Sequence, residues 1–157
     1  MKNKLVFDID FDGTIAYDNY PNIGDLIPGA KETINRLYND GHQIIINTCR
    51  TGAYAEAATA FLDANGIKWH YINSNHPDRI SFYGIDSRKI SCDISIDDRD
   101  IHIKSSASGV VDWDKVNIML RKILNPNPII ICIVGESGSG KTHLANYFKD
   151  EYGVSMI

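Results

Sequence analysis

Short, continuous apolar runs alternate along this chain with stretches whose apolar residues recur every three or four positions. Lys4 to Ile9 reads as a buried strand. Pro28 opens a helix whose apolar face is Ala30, Ile34, Leu37 and Tyr38, ended by Gly41. His42 to Asn47 is a second strand, built around Ile44-Ile45-Ile46. Tyr54, Ala57, Ala58, Phe61 and Leu62 mark a second helix, closed by Asn65-Gly66. Ile67 to Ile72 and Cys92 to Ile96 read as two further strands. Val116, Met119, Leu120, Ile123 and Leu124 give another amphipathic helix. The polar segment from Ser74 to Lys89 fits a loop or a short helix.

Alternating strand–helix units with wholly apolar strands predict an α/β fold around a central parallel sheet covered by helices. In such sheets the ligand site lies beyond the carboxyl ends of the strands. Asp10, Thr48 and Asp97-Asp98 each follow an apolar strand closely, so these distant residues are expected to converge at one sheet edge. Asn125-Pro126-Asn127-Pro128 then interrupts the pattern as a linker. The expected organisation is a domain over 1–124, a linker over 125–128 and a separate piece over 129–157.

The chain has 157 residues, 43% hydrophobic and 23% charged, as expected of a globular domain with a substantial core. Its net charge of −4 gives no global attraction to nucleic acid or anionic membrane. Cys49, Cys92 and Cys132 are odd in number and widely spaced, which suggests neither a disulfide framework nor a zinc site. With no signal-peptide pattern and no apolar run of spanning length, a cytoplasmic protein with no membrane partner is expected.

The chemistry concentrates at Asp10-Phe11-Asp12-Gly13-Thr14, where two carboxylates two residues apart stand at a strand end that opens into a glycine turn. One carboxylate can attack phosphorus while the other handles the proton, and a divalent cation can screen their repulsion. Three further pieces join them. Thr48 can hydrogen-bond a phosphoryl oxygen, and Lys89 can offset charge on it. The adjacent carboxylates Asp97 and Asp98 repel one another unless something positive is bound, a need Mg²⁺ satisfies. Each of the three alone also fits an ordinary strand end, a solvated lysine or an acidic turn. Their order and common placement give the set its weight. Asp8 repeats the carboxylate spacing, but Gly13-Thr14 fixes the register on Asp10 and Asp12, so Asp8 is read as accessory and in need of a hydrogen-bond partner.

The series DxDGT, then Thr, then Lys, then an acidic pair resembles the haloacid dehalogenase-like (HAD) phosphohydrolases over roughly residues 4–124. The resemblance implies a three-layer Rossmannoid fold and a Mg²⁺-dependent phosphomonoesterase. Asp10 would be the nucleophile that forms an aspartyl-phosphate. Asp12 would protonate the leaving group and then activate water. Thr48 and Lys89 would hold the phosphoryl group, with Thr14 and Arg50 as substrate contacts. Asp10, the backbone carbonyl of Asp12, and Asp98 would hold Mg²⁺, with Asp97 a second ligand or acting through water. Residues 16–27 are too few for a large cap, so an open site is expected. The segments Asn47-Thr48-Cys49-Arg50-Thr51-Gly52 and Ile96-Asp97-Asp98-Arg99 resemble the phosphatase domain of polynucleotide kinase-phosphatases. They also resemble small uncharacterised bacterial HAD hydrolases, as does Tyr20-Pro21-Asn22-Ile23-Gly24, and the latter match is closer in length and cap architecture.

A second motif, Gly135-Glu136-Ser137-Gly138-Ser139-Gly140-Lys141-Thr142, fits GxxxxGK[ST] in full, between the apolar run Ile129 to Val134 and a helical stretch from His143 to Lys149. In a P-loop the backbone N–H groups cradle phosphates, here with Lys141 reaching them and Thr142 available to Mg²⁺. Gly135, Gly138 and Gly140 supply the turn. Only 16 residues follow Lys141, so the expectation is the opening βα piece of a kinase domain, inactive by itself. The substrate expected is a nucleotide or other small phosphorylated molecule. The alternatives are the 3′-phosphatase half of an end-healing enzyme acting on nucleic-acid ends, or a non-catalytic HAD-like module.

Overall fold

The computed structural model describes residues 4–100, 103–105, 107–125 and 132–152. It divides into two compact units, Met1–Trp113 and Asp114–Ile157. In the first, a four-stranded sheet forms from β1 (Val6–Asp10), β4 (Gln43–Asn47), β5 (Tyr71–Ile72) and β6 (Ile94–Ile96), in the order β5-β4-β1-β6. All three pairings are parallel, and the register sets Asp10 beside Asn47 and Ile9 beside Ile96. Helices flank the sheet: α1 (Ala30–Asn39), α2 (Ala53–Ala64) and the short α3 (Pro77–Tyr83), which occupies part of the polar segment 74–89.

Phe7, Ile9, Ile44, Ile45 and Ile46 are wholly buried with Ile34 and Leu37 of α1 and Leu62 of α2. The apolar runs of β1 and β4 thus lie in the core, as a sheet covered by helices requires. From β1 the chain passes outward to β4 and β5, then returns to place β6 on the other side of β1. The strand order therefore reverses between β1 and β6, where ligand crevices of open α/β sheets lie.

The strands are shorter than the apolar runs. The run Ile67 to Ile72 yields only Tyr71–Ile72, because among the described residues β5 is an edge strand paired only to Ile45 and Ile46. Between β1 and α1 the sequence pattern predicts no element, yet β2 (Ala16–Asn19) and β3 (Asn22–Leu26) form an antiparallel hairpin around Tyr20-Pro21. Gly24 is required in it: a Cβ there would lie 2.4 Å from the Tyr17 carbonyl oxygen.

α4 (Trp113–Leu124) starts at the end of the first unit, with Val116 and Leu120 buried. In the second unit α5 (Lys141–Tyr152) follows the glycine-rich loop. The strand expected over Ile129 to Val134 falls partly outside the described residues, as does most of the linker 125–128. Its described part, residues 132–134, is not a strand, and Val134 is 90% exposed. No neighbouring strand among the described residues of this unit is there to pair with it. No helix among the described residues is long and apolar enough to cross a membrane.

Candidate active site

β1 ends at Asp10 and β6 at Ile96, so Asp10, Asp97 and Asp98 meet where the strand order reverses. One carboxylate oxygen from each lies within 4.8 Å of the others. Thr14 organises the group. Its wholly buried hydroxyl donates to Asp10 Oδ2 at 3.0 Å and accepts from the Asp98 backbone N–H at 3.0 Å. The Trp113 indole N–H in turn holds the Thr14 carbonyl at 2.8 Å. Thr14 is therefore spent on bridging the first motif to the acidic pair.

Gly13 makes this approach possible. It has φ +79°, and a Cβ there would lie 3.0 Å from the Asp98 carboxylate. The glycine of the motif thus leaves the space that the third carboxylate fills.

Burial pushes the Asp10 carboxyl up from 3.8 to about 7, with repulsion from Asp97 and Asp98 adding to it and the Thr14 hydrogen bond opposing it. Asp98 is raised too, chiefly by burial, against the pull of Lys104. Asp8 lies on the same strand and is also raised by burial. Among the described residues its Oδ1 is buried without a partner, while Oδ2 accepts at 3.5 Å from Asn47 and Ser95. Carboxylates gathered as Asp10, Asp97 and Asp98 are what a bound cation relieves.

Asp12 is not one of those three carboxylates and has its own partner. Arg50, with a side chain 1% exposed, donates to both its oxygens, at 2.8 and 2.7 Å, and to the carbonyls of Pro21 and Asn22 at 2.9 and 2.6 Å. Arg50, a candidate substrate contact by sequence, is thus a buried tie between Asp12 and the hairpin turn. Thr48 follows Asn47 at the end of β4, is nearly buried, and accepts from the Arg50 backbone N–H at 3.1 Å, while its own N–H donates to Asn73. The loop after β4 is thereby fixed beside the first motif.

Lys89 is exposed, and among the described residues its ammonium makes no hydrogen bond or ion pair. The ammonium that the fold brings to the acidic pair is that of Lys104, 3.7 Å from Asp98 Oδ2. Nothing singles out Lys104 in the sequence beyond its position six residues after Asp98.

In the second unit, Gly138 and Gly140 have φ +83° and +82°, and the Lys141 ammonium folds back onto the Glu136 carbonyl and the Ser139 hydroxyl. Gly135 and Thr142 complete this exposed loop at the start of α5.

The solved structure of the conserved protein coded by a locus from Bacteroides thetaiotaomicron is similar to this chain. The two are 32% identical, with a TM-score of 0.63. The match covers 80% of this chain and 94% of that one. The chain belongs to that conserved protein's family. No family model matches it, and no match is found among curated proteins.

Proposed function

We propose that this chain is a metal-dependent phosphomonoester hydrolase of the HAD type, acting on a nucleotide or other small phosphorylated molecule. The observation that supports this best is the meeting of Asp10, Asp97 and Asp98 at the strand-order reversal, with Asp12 two residues after Asp10 and gripped by Arg50. The hard oxygen donors fit Mg²⁺, which Asp10, Asp98 and the Asp12 carbonyl would hold, with Asp97 a further ligand or acting through water. When bound, such a cation screens the carboxylates from each other and from the phosphoryl group.

The reaction then uses the chain's own groups. An Asp10 oxygen attacks phosphorus, the ester P–O bond breaks, and the leaving oxygen takes a proton from Asp12. Water next attacks the phosphorus of the aspartyl-phosphate and gives its proton to Asp12. The Asp10–phosphorus bond breaks and inorganic phosphate departs. Arg50 fixes the orientation of Asp12, Thr48 offers a hydroxyl to the phosphoryl oxygens, and Lys104 supplies positive charge, with Lys89 the rival for that role. The GxxxxGK[ST] motif at 135–142 favours a second reading, the 3′-phosphatase half of an end-healing enzyme, with ATP as that loop's own ligand.

Phosphate release in Mg²⁺ from p-nitrophenyl phosphate, 3′- and 5′-mononucleotides and 3′-phosphorylated oligonucleotides tests the proposal. Turnover that disappears in Asp10→Asn is the expected result, and preference for the oligonucleotides selects the second reading. No release from any substrate leaves a non-catalytic module as the better account.

A further inference from the structure

Two tyrosines that the catalytic proposal does not use lie beside Arg50, the partner of Asp12. Tyr20 at the hairpin turn is 62% exposed, and Tyr54 in the first turn of α2 is 46% exposed. Their ring centroids are 5.5 Å apart, with the planes inclined at 50°. The Arg50 guanidinium carbon lies 5.3 Å from the Tyr20 ring centroid, and the same guanidinium binds both oxygens of Asp12. A continuous chain of contacts therefore runs from Asp12 through Arg50 to Tyr20 and on to Tyr54.

This placement is not an accident of a loose loop. Four of the five N–H groups of Arg50 are occupied, two by Asp12 and one each by the carbonyls of Pro21 and Asn22. The hairpin turn is thus tied to the same buried side chain that orients Asp12. A fixed pair of large rings left in solvent is unlike a scattered surface apolar residue, and rings with polar tips suit stacking against a planar partner.

Asp12 defines the leaving-group side of the site in the reaction above, so the organic part of a monoester lies on its side. We infer that Tyr20 and Tyr54 form a stacking subsite for a planar aromatic group in the leaving alcohol. The inference rests on the phosphatase reading and narrows its substrate class. Arg50, with four of its five N–H groups in use, has little left to offer a polyol, whereas two ring faces recognise a flat π system without charge. Both an arylalkyl alcohol and a nucleoside carry such a group.

The test compares benzyl phosphate with cyclohexylmethyl phosphate, both primary alkyl esters of similar size that differ in aromaticity. The expected kcat/KM ratio favours benzyl by about fivefold, carried by KM, as one ring contact warrants. Tyr54→Leu and Tyr20→Leu bring the ratio toward one, and Tyr54→Phe and Tyr20→Phe restore it. Adenosine 5′-monophosphate used better than benzyl phosphate identifies a nucleoside as the source of the ring; the reverse identifies an arylalkyl alcohol. A ratio near one in the wild type, or one unmoved by the Leu variants, overturns the subsite. Calorimetric binding of the same two esters to Asp10→Asn reads the subsite without turnover. A benzyl preference there that the Leu changes abolish upholds it even if phosphate release fails, and equal binding overturns it.

Discussion

Arg50 grips Asp12 with two parallel hydrogen bonds, Nε to Oδ2 at 2.8 Å and Nη2 to Oδ1 at 2.7 Å, across 38 residues of sequence. The hydrogen bonds to Asp12 hold the guanidinium above its usual range, against the cost of its burial. A planar fork meets both carboxylate oxygens at once, and an ammonium cannot. Arg50→Lys is therefore expected to lose about 2–3 kcal/mol of stability, below the cost of breaking a buried pair outright because Lys keeps the charge and Asp12 is partly exposed. Turnover should fall at least about tenfold, since Asp12 loses its orientation. Urea unfolding beside steady-state kinetics checks both, and a variant equal to wild type in the two would remove Arg50 from the site.

In the cation-free protein, the carboxyl of Asp10 is raised from 3.8 to about 7 by burial. The folded state favours its neutral form, so that contribution to stability is complete below about pH 4 and is lost as pH rises through about 7. Asp8 and Asp98, raised in the same sense, add to the slope. Thermal unfolding with chelator should show stability falling between pH 4 and 8. Asp10→Asn should flatten that fall by on the order of 2 kcal/mol, allowing for partial exposure. An identical slope in the variant would show that Asp10 is not the buried acid responsible.

Addition of Mg²⁺ should reverse the effect. A site ligated by carboxylates binds better when they are ionised, so the rise in Tm should be larger at pH 8 than at pH 5. At tenfold above Kd the stabilisation is about 1.4 kcal/mol. Asp98→Asn should abolish it and Asp97→Asn should only reduce it, because Asp98 is the one fixed against Gly13 and Thr14. Equal losses would make the two carboxylates joint ligands.

Lys104 and Lys89 can be separated in the same way. Lys104 lies 3.7 Å from Asp98, while Lys89 is exposed and unpaired among the described residues. Lys104→Met should lower turnover about tenfold with less than about 1 kcal/mol of stability lost, since a half-exposed ion pair contributes little to folding. Lys89→Met should leave turnover within about twofold. The opposite ranking would return the role to Lys89.

Much of the fold is legible because the signals are local. Ile44-Ile45-Ile46 reads as a buried strand wherever it stands, and Ala30, Ile34 and Leu37 recur at helical spacing. The carboxylates are legible for the same reason, since a strand end is where an α/β sheet presents chemistry. The β2–β3 hairpin escapes the pattern: its strands are half-exposed, so they carry no apolar run, and only the turn formers around Tyr20-Pro21 hint at it.

By itself the sequence determined the strand–helix alternation, the parallel sheet and the places where acids would gather, all consequences of periodicity and of residue types at strand ends. Tertiary structure decided which charges meet. Thr14 reaches Asp98 across 84 residues and Arg50 reaches Asp12 across 38, and no local preference encodes either. Lys104 rather than Lys89 stands at the acidic pair, and Arg50 is buried against Asp12 instead of open to solvent, because the strand order and the path of the hairpin fix those distances. Residue spacing along the chain carries the elements; the pairing of charged side chains depends on how those elements pack.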